Sequence, residues 1–181
     1  MFSMCYHTSL LQIYFFLKTT APESTESEAA AHARHQCFSL AKQITSLITL
    51  HRSKCGIERM SPTTIQWVST SLFALLDGLD NTDNRNAFIE LGTVARAFCQ
   101  RWTLPKGILR MIQLTASQRG IQLPGEVEAL FMDFESQNWD RKDREKFSRS
   151  GYPNFAAIHK RDGDHEMDKF LEKWDTLSIE G

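Results

Sequence analysis

Apolar residues follow one another almost without a break from Met1 to Leu17, MFSMCYHTSLLQIYFFL, and the chain turns polar at Lys18. Three readings compete for this stretch. A secretory signal carries a positive residue ahead of its apolar run and a small-residue cleavage site. No Lys or Arg precedes this run, His7 sits inside it, and Thr19-Thr20-Ala21 is only a passable cleavage site. A spanning helix needs about 20 apolar residues, whereas Ser3, His7, Thr8, Ser9 and Gln12 interrupt this one. The preferred reading is a core helix, apolar on most sides because several neighbours cover it.

The rest of the hydrophobic pattern is helical. A Thr-, Ser-, Pro- and Glu-rich linker, residues 19–26, precedes a long helix expected from about Ser27 to Lys54 and closed by Gly56. Cys37, Leu40, Ala41, Ile44, Ile48, His51 and Cys55 fall on one face of it. Ser61-Pro62 reads as N-cap and first residue of a third helix, with Ile65, Val68, Leu72, Leu75, Leu76 and Leu79 as its apolar face and Trp67 beside it. After the DNTDN turn, a fourth helix from about Arg85 to Trp102 carries a stripe of Phe88, Leu91, Val94, Ala95 and Phe98. Pro105 opens a fifth helix that Gly120 closes. Pro124 opens a sixth, with Val127, Leu130, Phe131 and Phe134 in register.

No segment alternates with the period of a strand. The sequence therefore predicts an all-α chain, an irregular antiparallel bundle of about six helices joined by short connections. No motif recurs at a fixed period, so a helical repeat array is disfavoured. Residues 1–139 form the expected domain. From Asp140 both signs of charge crowd the sequence, and 140–181 reads as a mostly disordered tail. Within it Phe170, Leu171, Trp174 and Leu177 have the spacing of one weak amphipathic helix.

Composition adds limits. The chain is 41% hydrophobic and 24% charged, ordinary for a globular domain, with a net charge of −1 and a pI of about 6.6. That balance lacks the basic stripe of an autonomous nucleic-acid binder. Cys5, Cys37, Cys55 and Cys99 are far apart and form no CxxC, so reduced, buried thiols in a cytosolic or nuclear protein are expected.

Candidate chemistry is sparse. His32 and His35 lie three apart on a helix, near enough to share a metal, but they face away from Cys37 and read as exposed side chains. His7 beside Tyr6 could serve as a base or ligand contact, although a hydrogen-bonded imidazole is the simpler reading. Trp67 and Trp102 suit either a core or an interface. No GxSxG, P-loop or GxGxxG is present, and KDREK at 142–146 mixes too many acids to make a nuclear-import patch. No catalytic, metal or cofactor residue is assigned, and the chain is expected not to be an enzyme. Tyr6, His7, Tyr14, Phe15 and Trp67 are the candidate partner or ligand contacts.

Several stretches together resemble the regulatory, or middle homology, region of fungal Zn(2)-Cys(6) zinc-cluster transcription factors, nearest the nitrate-assimilation activators. MCYHTSLLQIYFFLK resembles the Tyr-His-containing helix late in that region. TTAPESTESE and the HARHQCFSLAKQITSLITLHRSKCG helix look like the variable segment and long helix that follow it. RMSPTTIQWVSTSLFALL, AFIELGTVARAFCQRWTLPKGILRMIQ and LPGEVEALFMDF extend the likeness over residues 4–139. The resemblance implies a truncated piece of a larger all-α regulatory domain, whose other helices would cover the sides of residues 1–17 that this chain leaves bare. It also implies a transcription regulator, nuclear or cytoplasmic and not secreted, with a secondary-metabolism gene cluster as one conceivable target. The family's six-cysteine zinc cluster has no counterpart here, so no zinc and no direct DNA binding are expected. Its partners would be a full-length zinc-cluster regulator or other transcription proteins, with no membrane. A stand-alone α-helical adaptor and a small all-α ligand binder or enzyme are the alternatives.

Overall fold

The computed structural model describes residues 2–20 and 28–129. Those residues hold five α-helices and a 3-10 turn: α1 Phe2–Thr20, α2 Glu28–Cys55, the turn Ile57–Arg59, α3 Thr64–Leu76, α4 Thr82–Cys99 and α5 Thr103–Gln118. A further helical stretch, 125–129, runs to the edge of the described residues, and none of these residues forms a strand. The chain is thus an all-α bundle, as the periodicity predicts. The linker from Ala21, the rest of the sixth helix with Leu130, Phe131 and Phe134, and the charged tail lie outside the described residues.

Each helix packs on its sequence neighbour, and α3 is central, touching α1, α2, α4 and α5. Side-chain pairs fix the directions. Early in α1, His7 meets Gln43 of α2, and late in α1, Tyr14 meets His32, so α1 and α2 are antiparallel. Lys18 at the end of α1 reaches Asp77 at the end of α3, so these two run the same way.

The core draws on every helix. Leu11, Ile44, Ile48, Leu72, Leu75, Phe88, Leu91, Phe98 and Ile108 are fully buried. The stripe predicted for α4 is buried throughout, and Val127 joins the core from the stretch after α5. On α3 the single apolar face is corrected: every residue except Gln66 is buried, including Ser69, Thr70 and Ser71. Small hydroxyl side chains make this possible. Ser69 and Thr70 each donate to the Gln66 carbonyl within their own helix, at 2.9 and 2.8 Å, so they enter the interior with a bond already made.

Helix ends show further differences. The segment after Ser61 closes i→i+3 bonds, Thr64 N–H to Ser61 C=O and Ile65 N–H to Pro62 C=O, and this tighter turn delays α3 to Thr64. Helix α4 begins earlier than expected because Asn81 caps it, its Oδ1 accepting from the Asp83 and Asn84 amides at 2.9 and 3.2 Å. Gly56 and Gly120 follow α2 and α5 with φ of 76° and 63°, a backbone that L side chains rarely adopt. The expectation of four buried thiols holds only for Cys37 and Cys99. Cys5, on the outer side of α1, and Cys55, the last residue of α2, are both exposed.

Candidate functional site

Helix α1 has two unlike faces. Met4, Thr8, Leu11 and Phe15, spaced by three or four residues, are buried against α2 and α3. On the outer side Phe2 is 94% exposed, Tyr6 63%, Ile13 56% and Phe16 63%, with Leu17 half-exposed. Cys5, Ser9 and Gln12 complete that side, and no charged residue lies on it. It is an uncharged apolar strip in water, the kind of surface that marks an interface.

The edges of α1 are tied down by polar contacts. His7 Nδ1 lies 2.6 Å from the Ser3 carbonyl oxygen, and Nε2 lies 2.8 Å from the side-chain amide of Gln43. Tyr6 stands edge-on to the His7 ring, with centroids 5.6 Å apart. Tyr14 meets the His32 ring edge-on at 6.4 Å. The expected contacts therefore divide into three groups. Tyr6 is on the exposed face. His7 and Tyr14 are half-buried at the seam with α2. Phe15 and Trp67, candidate partner or ligand contacts, are each 7% exposed and lie in the core. Their neighbours are this chain's own helices, and burial of so much aromatic surface stabilises the fold. His32 and His35 are both exposed, with Cys37 buried on another side of α2.

Asp77, one residue past α3, is a joint that sequence reasoning missed. Lys18 from the end of α1 pairs with its Oδ2, and Arg119 from the end of α5 donates to its Oδ1 at 2.5 Å. The partners lie 59 and 42 residues away, so no local pattern could reveal them. The one hint was a single cation, Lys18, directly after an apolar run.

Beside this joint is a cleft of about 760 Å³, between the α3–α4 turn and the loop after α5. Its lining is mostly polar, with Asp77, Asp80, Arg85 and Gln122 on it, and Leu76, Leu79, Ile121, Leu123 and Pro124 add a smaller apolar part. Arg85 pairs with Glu126 at 3.5 Å. The amide of residue 126 and Arg85 together hold the Glu126 carboxyl below its usual range. The cleft has the size of a small-molecule site, but its charges are largely matched by neighbours.

The buried thiols are poor nucleophiles. Burial pushes the Cys37 thiol up to about 11, against the pull of Lys18, and the Cys99 thiol up to about 12. Burial likewise lowers the Arg110 guanidinium to about 10. Among the described residues, no group of three or more His, Cys, Asp or Glu side chains is placed to hold a metal ion. No described helix is long and apolar enough to cross a membrane.

The described fold is an all-α bundle with an exposed apolar helix face, and the sequence is similar to a fungal transcriptional activator. That relative is the notoamide biosynthesis transcriptional activator notL' of Aspergillus versicolor, 38% identical in an alignment of 138 positions that covers 70% of this chain. The match covers 22% of the activator, so the chain spans about a fifth of its relative's length. No family profile matches the sequence, and no solved structure matches it.

Proposed function

We propose that this chain is a transcription regulator that acts through protein partners and not by contacting DNA itself. The observation that carries the proposal is the 38% identity to a transcriptional activator over most of the chain. The 181 residues hold four scattered cysteines and nearly balanced charge, which suits a regulatory piece better than a DNA-contacting one. In this reading the chain is the counterpart of a zinc-cluster regulator's middle region, of the kind found in nitrate-assimilation activators. It works in the nucleus, and its partner is a longer zinc-cluster activator or another transcription protein. A set of biosynthetic genes is the corresponding target. The outer face of α1 is the contact surface, since Phe2 and Tyr6 offer exposed aromatic area without charge.

The test is co-expression with a longer zinc-cluster activator, followed by size-exclusion chromatography and a gel shift on the activator's DNA site. The chain should co-elute and retard the activator–DNA band further, yet shift no DNA alone. Phe2→Glu with Tyr6→Glu should abolish co-elution. Separate elution in the parent chain would sink the proposal. A stand-alone α-helical adaptor is the second reading, favoured by a core that the described helices already fill, with Leu11, Leu91 and Ile112 all fully buried.

A further inference from the structure

The exposed residues of α1 follow a periodicity of their own. Phe2, Tyr6, Ser9, Ile13 and Phe16 are spaced four, three, four and three apart, and all five are exposed. That is the interval of a coiled-coil seam, two positions in every seven. On a helical wheel the seam lies opposite Met4, Thr8, Leu11 and Phe15, which face α2 and α3. A helix that only covered a core would leave its outer side polar. Here the outer side repeats apolar residues at the interval one helix presents to another.

Charge and area fit a second copy. No Asp, Glu, Lys or Arg occurs between Met1 and Leu17, so the strip meets its own copy without like-charge repulsion. Phe2, Tyr6 and Phe16, at 94%, 63% and 63% exposure, offer about 400 Å² of side chain. With Ile13, Leu17 and the flanking Cys5 and Gln12, one strip reaches about 600 Å² and two reach about 1,200 Å², where specific interfaces begin. Helix α1 is already held in place by His7 on Gln43 and Lys18 on Asp77, so pairing orders little that was free.

Side-chain volume sets the direction. A parallel pair would put Ser9 against Ser9 and leave a gap in the middle of the seam. An antiparallel pair puts Ser9 against Ile13 of the second copy and Tyr6 against Phe16 of the second copy, small against large and ring against ring. It also opposes the two helix dipoles.

We propose that two copies of the chain pair through an antiparallel seam of their α1 helices, with a two-fold axis level with residue 11. The axis closes the pair and leaves neither strip open, so assembly stops at two. This pairing stands independently of the partner-binding reading above. A longer activator would compete with the second copy for the same strip.

Sedimentation equilibrium of the full chain from about 1 to about 100 µM tests the pairing. The mass should rise to twice that of one copy and level off, and Tyr6→Glu with Phe16→Glu should hold it at one. Cys37 and Cys99 should stay slow to alkylation in both proteins, which shows the fold intact. Direction is read with a short bis-maleimide. Cys5 and Gln12 are exposed seven residues apart on one flank of the seam. Along the axis, position 12 lies about 3 Å and position 5 about 18 Å from its counterpart in the antiparallel pair. Gln12→Cys with Cys5→Ser and Cys55→Ser should therefore cross-link, whereas Cys55→Ser alone, which keeps Cys5, should not. Equal cross-linking at the two positions would overturn the proposal. So would a single copy at the highest concentration, a pair that survives both glutamates, or a mass that climbs past two copies without a plateau. Failure of the co-elution experiment would leave these masses unchanged, so the two readings fail separately.

Discussion

Arg119 Nη1 lies 2.5 Å from Asp77 Oδ1, and the other carboxylate oxygen of Asp77 holds Lys18. One side chain thus joins the ends of α1, α3 and α5. All three partners are largely covered, with side-chain exposures of 11% for Lys18, 20% for Asp77 and 28% for Arg119. Shielding from water makes such a joint stronger than a surface pair, and removal of the shared acid leaves two cations crowded together.

Asp77→Ala should therefore destabilise the fold by about 2 kcal/mol, between the values for exposed and fully buried pairs. Urea denaturation followed by circular dichroism checks this. The midpoint should fall while the slope stays constant. Asp77→Asn should cost nearly as much, because the amide keeps the shape but not the charge.

Gly78, the next residue, has a steric role. A Cβ there would meet the Phe38 ring at 2.6 Å and the Asn84 amide nitrogen at 2.7 Å. That same Asn84 nitrogen donates to the Gly78 carbonyl at 3.1 Å. Gly78→Ala should cost about 1–3 kcal/mol through overpacking. Phe38→Leu should recover part of that loss in the double variant, a coupling that a thermodynamic cycle in urea would measure.

The sequence pattern captured those elements whose surroundings in the sequence contrast with them. Phe88, Leu91, Val94, Ala95 and Phe98 stand out of a polar helix, and all are buried. Helix α3 gave no such contrast, because its central place in the bundle buries every residue but Gln66, Ser69 and Ser71 included. Helix α1 was legible as a core-type helix with sides left bare, though not which of its residues would be the bare ones. Its run is apolar nearly all round, so periodicity could not tell the half that faces outward from the half that faces α2 and α3. At the candidate site Tyr6 was legible as an aromatic next to a histidine, but its 63% exposure was not. Phe15 and Trp67 were not separable from it, since only the neighbouring helices decide which aromatic is covered.

The raised thiols make stability depend on pH at the alkaline end. Cys37 and Cys99 stay protonated in the fold up to about 11 and about 12, whereas an unfolded thiol titrates near 9.0. The unfolded chain thus binds fewer protons above that value. The stabilisation is fully present below pH 9.0 and is lost as the pH rises toward the folded values. Unfolding midpoints in urea between pH 8 and 11 should fall more steeply for the parent than for Cys99→Ala. Parallel curves for the two proteins would contradict the assignment.

The two faces of α1 make opposite predictions for substitutions of similar size. Leu11 is fully buried and points into the junction of α1 with its neighbours. Leu11→Ala removes side-chain volume from that junction and should cost about 2–5 kcal/mol. Phe2 and Tyr6 lose far more side chain in Phe2→Ser and Tyr6→Ser, but they are 94% and 63% exposed. Each should change stability by no more than about 0.5 kcal/mol. Those same two substitutions should weaken association with a longer activator, because the aromatic area lost is the area offered to a partner. Denaturation and co-elution on one set of purified variants separate the roles. Leu11→Ala lowers stability, whereas Phe2→Ser and Tyr6→Ser leave stability in place and lower binding. If Tyr6→Ser unfolds the chain as readily as Leu11→Ala, the outer face belongs to the core and carries no partner.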